Sequence, residues 1–397
     1  MRRSTPRLAG AALVTIAGLV LVGCSSKEAA GELTIQPVVE IDATGAEAGG
    51  GDAGEPADPA GDGTAQCEGV AIAMTGPITG PNAALGNYVL NGVKLAVEAH
   101  NEANPDCQVE VKEFDSEGDP QKATQVAPSI VSDDSIVGII GPMFSGESKA
   151  TGPVYNQANL LMLTPSATGP ALTTNGWKNF VRGLGNDNSQ GSAAANYMLG
   201  ELGYEKVCVV QDDSEYGIGL AGVVAETLGD KAIASCAAKV KTGDKDFSAA
   251  VQLIKDADPD AVYYAGYFPE AAPFLSQLRS SGVDAAFLSD DGTNSDDFVT
   301  QAGDAAKDAY LTCPCGPAPE EYASKYQEKY NEAPGVYSVE GYDLATIILG
   351  AIDQGITDRA DLVDYVTAYD GWGIAKHYKW DETGELGDTT TWIYQVK

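Results

Sequence analysis

The strongest constraint on this chain is a rhythm. Short apolar or β-branched runs alternate repeatedly with amphipathic stretches of three or four helical turns. Residues 69–74, 108–114, 136–140, 160–163, 178–184, 206–211, 232–240, 260–265 and 285–289 read as strands. Between them, 82–100, a stretch opened by Gly118-Asp119-Pro120, and 188–200, 216–228, 246–254 and 270–279 carry apolar residues at helical spacing. Strands alternating with helices predict parallel sheets covered on both faces. There are more strands than one open sheet usually holds, so they divide into two doubly wound lobes of α/β class. Two further helices, 320–330 and 337–352, and two late strands, 377–379 and 391–396, complete the pattern.

The working centre falls at 138–170. Ile136 to Ile140 is a buried-type strand closed by Gly141-Pro142. Ser145 stands where a helix begins, with Gly146 and Glu147 in its first turn. The next apolar run ends at Thr164-Pro165. Both turns lie at carboxyl ends of strands, where open α/β sheets hold ligands. Their hydroxyls (Ser145, Ser148, Ser166, Thr168) and free backbone N–H groups suit a small carboxylate. The same residues also serve as ordinary capping and turn residues.

Two stretches on the other half end strands in a matching way. Tyr263 to Glu270 brings aromatics to a carboxyl edge, and Ser289-Asp290-Asp291-Gly292 brings carboxylates. Singly, Tyr267 is a packing residue and Asp291 a turn residue or cap. Together, hydroxyls on one lobe face an acid and phenols on the other. Such a set holds a zwitterion, with ammonium on Asp291, carboxylate on Ser145 and the turn amides, and the side chain among the rings.

Charge narrows the partners. The 397 residues carry a net charge of −33, which argues against nucleic acid, whose phosphates need clustered Lys and Arg. Only two histidines occur, His100 and His377, which argues against a His-based metal centre or a Ser/His/Asp hydrolase. His100 is expected to partner the helix dipole. No metal and no cofactor are expected. Gly217-Ile-Gly219-Leu-Ala-Gly222 matches a dinucleotide fingerprint, yet five residues, two of them Asp212 and Asp213, separate it from its strand.

The amino terminus reads as an export signal. Arg2, Arg3 and Arg7 precede an apolar run from Leu8 to Val22, too short to span a membrane comfortably. Leu21-Val22-Gly23-Cys24 resembles the lipobox of bacterial lipoproteins, which implies cleavage after residue 23 and a lipid on Cys24. Residues 24–65 lack aromatics, and beyond Cys24 nine acids stand against Lys27 alone. This composition predicts a flexible acidic tether, with 33–41 able to order transiently.

Six cysteines remain in an oxidising setting. Fifteen connectivities are possible. Cys67 and Cys107 precede adjacent strands and lie within bridging reach. Cys208 and Cys236 sit in successive strands, leaving Cys313 and Cys315 for a tight local ring.

From Gly69 onward the chain resembles the branched-chain amino-acid (leucine/isoleucine/valine) binding proteins of ABC importers, of the type I periplasmic-binding-protein fold. The matching motifs are Thr75-Gly76-Pro77, Ser145 in its turn, Thr164-Pro165-Ser166-Ala167-Thr168, Asp213-Ser214-Glu215-Tyr216-Gly217, Asp246-Phe247-Ser248, Tyr264-Ala265-Gly266-Tyr267 and Tyr342-Asp343. The resemblance implies two lobes joined by a three-crossover hinge and closing on a ligand. It implies that Ser145 and Tyr267 bind a carboxylate, that Thr168 touches carboxylate and ammonium, and that Ser166, beside Ala167, offers its carbonyl to the ammonium. Tyr216 and Tyr337 stand at wall positions, and Asp291 stands where a Glu usually meets the ammonium. Leu85 falls where an aromatic is common. Phe144 replaces a half-cystine whose partner, near Gly118, is also absent, and a bulkier Phe144 shrinks the side-chain pocket.

The expected organisation follows: signal 1–23, tether 24–65, first lobe 66–186 and 313–375, second lobe 187–312, and a final crossover with second-lobe strands 376–397. The expected function is a monomeric extracytoplasmic receptor, not an enzyme, anchored to the membrane by lipid. It delivers a small aliphatic amino acid to ABC permease subunits and binds no nucleic acid. The alternatives are a sensor of the same fold for a small amide such as urea, and a nucleotide-dependent enzyme using Gly217.

Overall fold

The computed structural model describes residues 33–49, 54–387 and 389–397. The expected signal, Cys24 and the start of the tether lie outside them.

The first sheet is parallel throughout. Its strands are β2 (Cys67–Gly76), β3 (Cys107–Asp115), β4 (Ile136–Ile140), β5 (Leu161–Thr164) and β6 (Phe180–Arg182), in the order β3-β2-β4-β5-β6. Helices α1 (Ala83–Ala103), α2 (Pro120–Ser132) and α3 (Ser145–Gln157) connect them. Asp119 caps α2, accepting from Gln121 N–H at 2.6 Å, and Pro120 needs no such partner as the first helical residue. β4 is buried along its whole length between two apolar layers, as a central parallel strand requires.

The chain then crosses into a seven-stranded sheet. Helix α4 (Asp187–Gly200) leads to β7 (Val207–Gln211), α5 (Glu215–Leu228), β8 (Ala238–Lys239), α6 (Ser248–Ala257), β9 (Ala261–Ala265), α7 (Phe268–Ser280), β10 (Ala286–Ser289), α8 (Asp296–Ala302) and β11 (Tyr310–Cys313). It returns to the first lobe for α9 (Glu320–Tyr330), α10 (Ser338–Asp353) and α11 (Arg359–Thr367), then for the small ribbon β12 (Asp370–Trp372) and β13 (His377–Lys379). β14 (Thr391–Val396) crosses back to pair antiparallel with β11.

The region assigned to a disordered tether is the main correction. β1 (Ile35–Ile41) is a strand, antiparallel to β14 on the edge of the seven-stranded sheet, order β1-β14-β11-β10-β9-β7-β8. The stretch 33–41, expected to order only transiently, carries an apolar set, Ile35, Val39 and Ile41, of which Ile41 packs against Ala193, Tyr197 and Ile393. Pro37 sits at the register shift, where a missing N–H is tolerated. Residues 54–65 are seated on the first lobe instead: Ala57 N–H donates to Trp372 O at 2.7 Å, and Asn104 Nδ2 donates to Ala60 O at 3.0 Å. The amino-terminal segment therefore passes between lobes once more than the three expected crossings.

Other differences are local. The expected strand 232–240 shrinks to β8, because Ala-Ser-Cys-Ala-Ala lacks β-branched residues and folds as single turns. α8 and α11 were not anticipated. His100 is fully buried, with Nε2 2.9 Å from Asp353 Oδ1 at the end of α10, and so has a specific partner besides the helix end. Disulfides join Cys67–Cys107, Cys208–Cys236 and Cys313–Cys315. The first links register partners of β2 and β3 across a 40-residue separation.

Candidate functional site

The turns after β4 and β5 are stitched into one surface. Thr164 Oγ1 donates to Pro142 O at 2.8 Å, and Ser166 Oγ donates to Met143 O at 2.7 Å. Gly169 N–H donates to Ser145 Oγ at 3.0 Å, leaving the Ser145 hydroxyl proton free to donate elsewhere. Arg182, fully buried in β6, holds the turn from beneath: it donates to Ala167 O, to Gly169 O at 3.1 Å, and to Glu385 Oε1 at 3.0 Å. Glu147, in the first turn of α3, accepts from Phe144 N–H at 2.8 Å and from Ser116 Oγ. Burial pushes its carboxyl up to about 7 against those two hydrogen bonds.

The opposite wall centres on Asp291, just after β10. Its Oδ1 accepts from Tyr216 OH at 2.6 Å and Gln190 Nε2 at 2.5 Å, and its Oδ2 accepts from Tyr337 OH. Burial raises its pKa against the pull of those three donors. Neighbouring Asp290 is pushed well up by burial and by Asp291's charge. Tyr337 holds a left-handed backbone, φ 65°, at the start of α10; a bulky residue persists there only when its surroundings enforce it.

Rings close the gap. Phe144 and Tyr267 lie 4.4 Å apart between centroids, and Tyr216 and Tyr267 5.4 Å. Lys149 Nζ on α3 meets Glu215 Oε1 on α5 at 2.8 Å across the cleft mouth. The space left inside, about 10 Å³, is lined by Leu85, Phe144, Ser145, Ser166, Tyr216, Tyr267, Asp291 and Tyr337. That is room for one water, so this is a closed cleft whose lobes must part to admit a solute.

Eight expected site residues thus surround one cavity. Ala167 does not: its side chain packs in the apolar layer beneath the first sheet, and its carbonyl accepts from Arg182. Thr168 is buried without lining the cavity, its hydroxyl beside the Asp187 carboxylate. Two residues were missed. Gln190 orients Asp291 and also reaches Thr312 O at 3.3 Å. Asp187, at the start of α4, is fully buried beside the Thr168 hydroxyl, and burial pushes it up to about 7 against the pull of that hydroxyl. α4 is buried on several sides and shows no clear apolar face, so periodicity could not mark either one.

The glycine motif has another explanation. It lies within α5, where a side chain at Gly217 would collide with Asp212 Oδ1, and one at Gly219 would sit 3.1 Å from Asp187 Oδ2. These glycines make room for buried carboxylates, the opposite of a phosphate cradle. Among the described residues no group of three or more His, Cys, Asp or Glu could hold a metal ion. Among the same residues no helix is long and apolar enough to cross a membrane.

Comparison with known proteins agrees with this architecture. The family model described as "Periplasmic binding protein" matches residues 69–397. The leucine-, isoleucine-, valine-, threonine-, and alanine-binding protein of Pseudomonas aeruginosa is 29% identical over 334 residues, covering 82% of this chain and 89% of the relative. The leucine-specific-binding protein of Salmonella typhimurium is 30% identical over 341 residues, covering 83% and 92%. Among solved structures, the branched-chain amino acid transporter substrate binding protein of Streptococcus pneumoniae, in complex with isoleucine, superposes with a TM-score of 0.76 at 26% identity, covering 83% of this chain and 99% of that one.

Proposed function

Because the chain belongs to the periplasmic binding protein family, we propose that it is an extracytoplasmic receptor that binds a small aliphatic amino acid between its lobes and hands it to an ABC permease. One observation carries the reading: donors at a helix start (Ser145) and a buried acid (Asp291) face each other across a single cavity walled by Leu85, Phe144, Tyr216, Tyr267 and Tyr337. A carboxylate meets Ser145 and the N-terminal end of α3, where the helix dipole favours negative charge. An ammonium meets Asp291, replacing a neutral phenol by a cation. The relatives named for leucine, isoleucine, valine, threonine and alanine support an amino acid as the ligand class.

Binding closes the cleft because the ligand contacts both lobes only when they meet. The closed form, with Lys149 beside Glu215 and Phe144 on Tyr267, is then the shape offered to the permease. We further propose a monomer held at the membrane by lipid on Cys24. Substitution Cys24→Ser should abolish labelling by a radioactive fatty acid in the native host; retained labelling would reject the anchor.

A second reading is a small amide such as urea, favoured because Asp291 already accepts from three donors and retains little capacity for a further one. A thermal-shift screen of amino acids and amides separates the two. Saturation about 100-fold above Kd adds about 2.7 kcal/mol, which is readily seen. Stabilisation by amides alone would overturn the amino-acid reading.

A further inference from the structure

Resting on the amino-acid reading, we propose that Phe144 restricts the site to short side chains, of the size of alanine or serine, and disfavours leucine and isoleucine. When the lobes part, Tyr216, Tyr267 and Asp291 leave with the second lobe. Leu85, Phe144 and Gly118 stay together on the first. The depth available to a side chain on that lobe is therefore set by how Phe144 packs, whatever the lobes do. Phe144 cannot retreat: its ring lies against the Gly118 backbone, so close that a methyl group there would sit 2.8 Å from Cε2. Gly118 has φ 75°, a conformation L side chains rarely adopt, and its missing side chain leaves the space that the Phe144 ring fills. Leu85 is fully buried at the side. On closure Tyr267 returns to 4.4 Å from the Phe144 ring, and Gly292 stands against it from behind, with a would-be methyl 3.0 Å from Tyr267 Cδ1. The zwitterion anchors Ser145 and Asp291 fix the α-carbon, so the side chain must enter this ring-lined end. An isobutyl group meets Phe144; a methyl group does not.

Isothermal titration of the full chain, freed of bound solute by unfolding and refolding, tests this with glycine, alanine, serine, valine, leucine and isoleucine. Alanine or serine should bind at least about tenfold tighter than leucine, the discrimination a hydrophobic pocket reaches for extra methylenes. Phe144→Ala and the milder Phe144→Val should shift the leucine-to-alanine affinity ratio about tenfold toward leucine. Retained alanine binding also reports a folded variant. Leucine binding the natural chain as tightly as alanine, or an unchanged leucine-to-alanine ratio in both variants, overturns the proposal and leaves the amino-acid reading intact. No binding by any amino acid overturns both.

Discussion

Asp291→Asn separates the two duties of a buried acid. The amide keeps the shape and still accepts from Tyr216 OH and Gln190 Nε2, which now lie 2.6 and 2.5 Å from Oδ1. Its new N–H faces the Tyr337 hydroxyl, which can turn to accept. The empty cleft therefore loses little hydrogen bonding. It also sheds a carboxylate whose pKa is raised by burial beside another acid, Asp290. Thermal stability without ligand should hold or rise. Binding should not survive: an ammonium without its buried counter-charge loses about 2 to 5 kcal/mol, or roughly 30-fold to several thousand-fold in Kd. Titration calorimetry with the tightest-binding amino acid reads the loss, and scanning fluorimetry reads the stability. A Kd within threefold of the natural chain refutes the ammonium role. A drop of more than about 2 kcal/mol in unliganded stability would make Asp291 a structural residue instead.

The remaining predictions follow from the same geometry. Ser145→Ala should weaken amino-acid binding about tenfold, by loss of one hydrogen bond to a charged group, while leaving the fold intact; calorimetry checks it. Stability should fall as pH rises from about 4 to about 7. Burial holds Glu147, Asp187 and Asp343 up to about 7 and Asp212 to about 6, so the folded chain keeps protons that the unfolded chain has released, and that advantage is lost on titration. The melting temperature should be higher at pH 5 than at pH 7.5; the reverse order would contradict these burial effects. Replacing Cys67 and Cys107 by serine should lower stability by about 4 kcal/mol in denaturant titration, the loop-closure value for their separation of 40.

The sequence was informative where residues repeat a local rule. Strands 377–379 and 391–396 coincide with β13 and β14, and α5, α9 and α10 begin within one residue of the expected positions. Short apolar runs bounded by Gly and Pro need no distant partner to be recognised. β1 was legible only as a stretch able to order, because its place on the edge of the sheet depends on β14, more than 300 residues away in the chain. The site divides the same way. Ser145, Tyr267 and Asp291 stand at strand ends, where placement follows from topology. Gln190 acts from inside α4, and its partners Asp291 and Thr312 arrive from distant parts of the chain. Ala167 shows the converse: adjacency to Ser166 and Thr168 suggested a shared role, yet the turn directs its side chain into the core.

The account rests on one zwitterion gripped from both lobes, and a crystal structure of the chain with its tightest-binding amino acid measures that directly. The ligand ammonium should lie about 3 Å from an Asp291 carboxylate oxygen, and its carboxylate about 3 Å from Ser145 Oγ. A ligand bound elsewhere, or bound with Asp291 still held by Tyr216, Tyr337 and Gln190 and untouched by the ammonium, would contradict it.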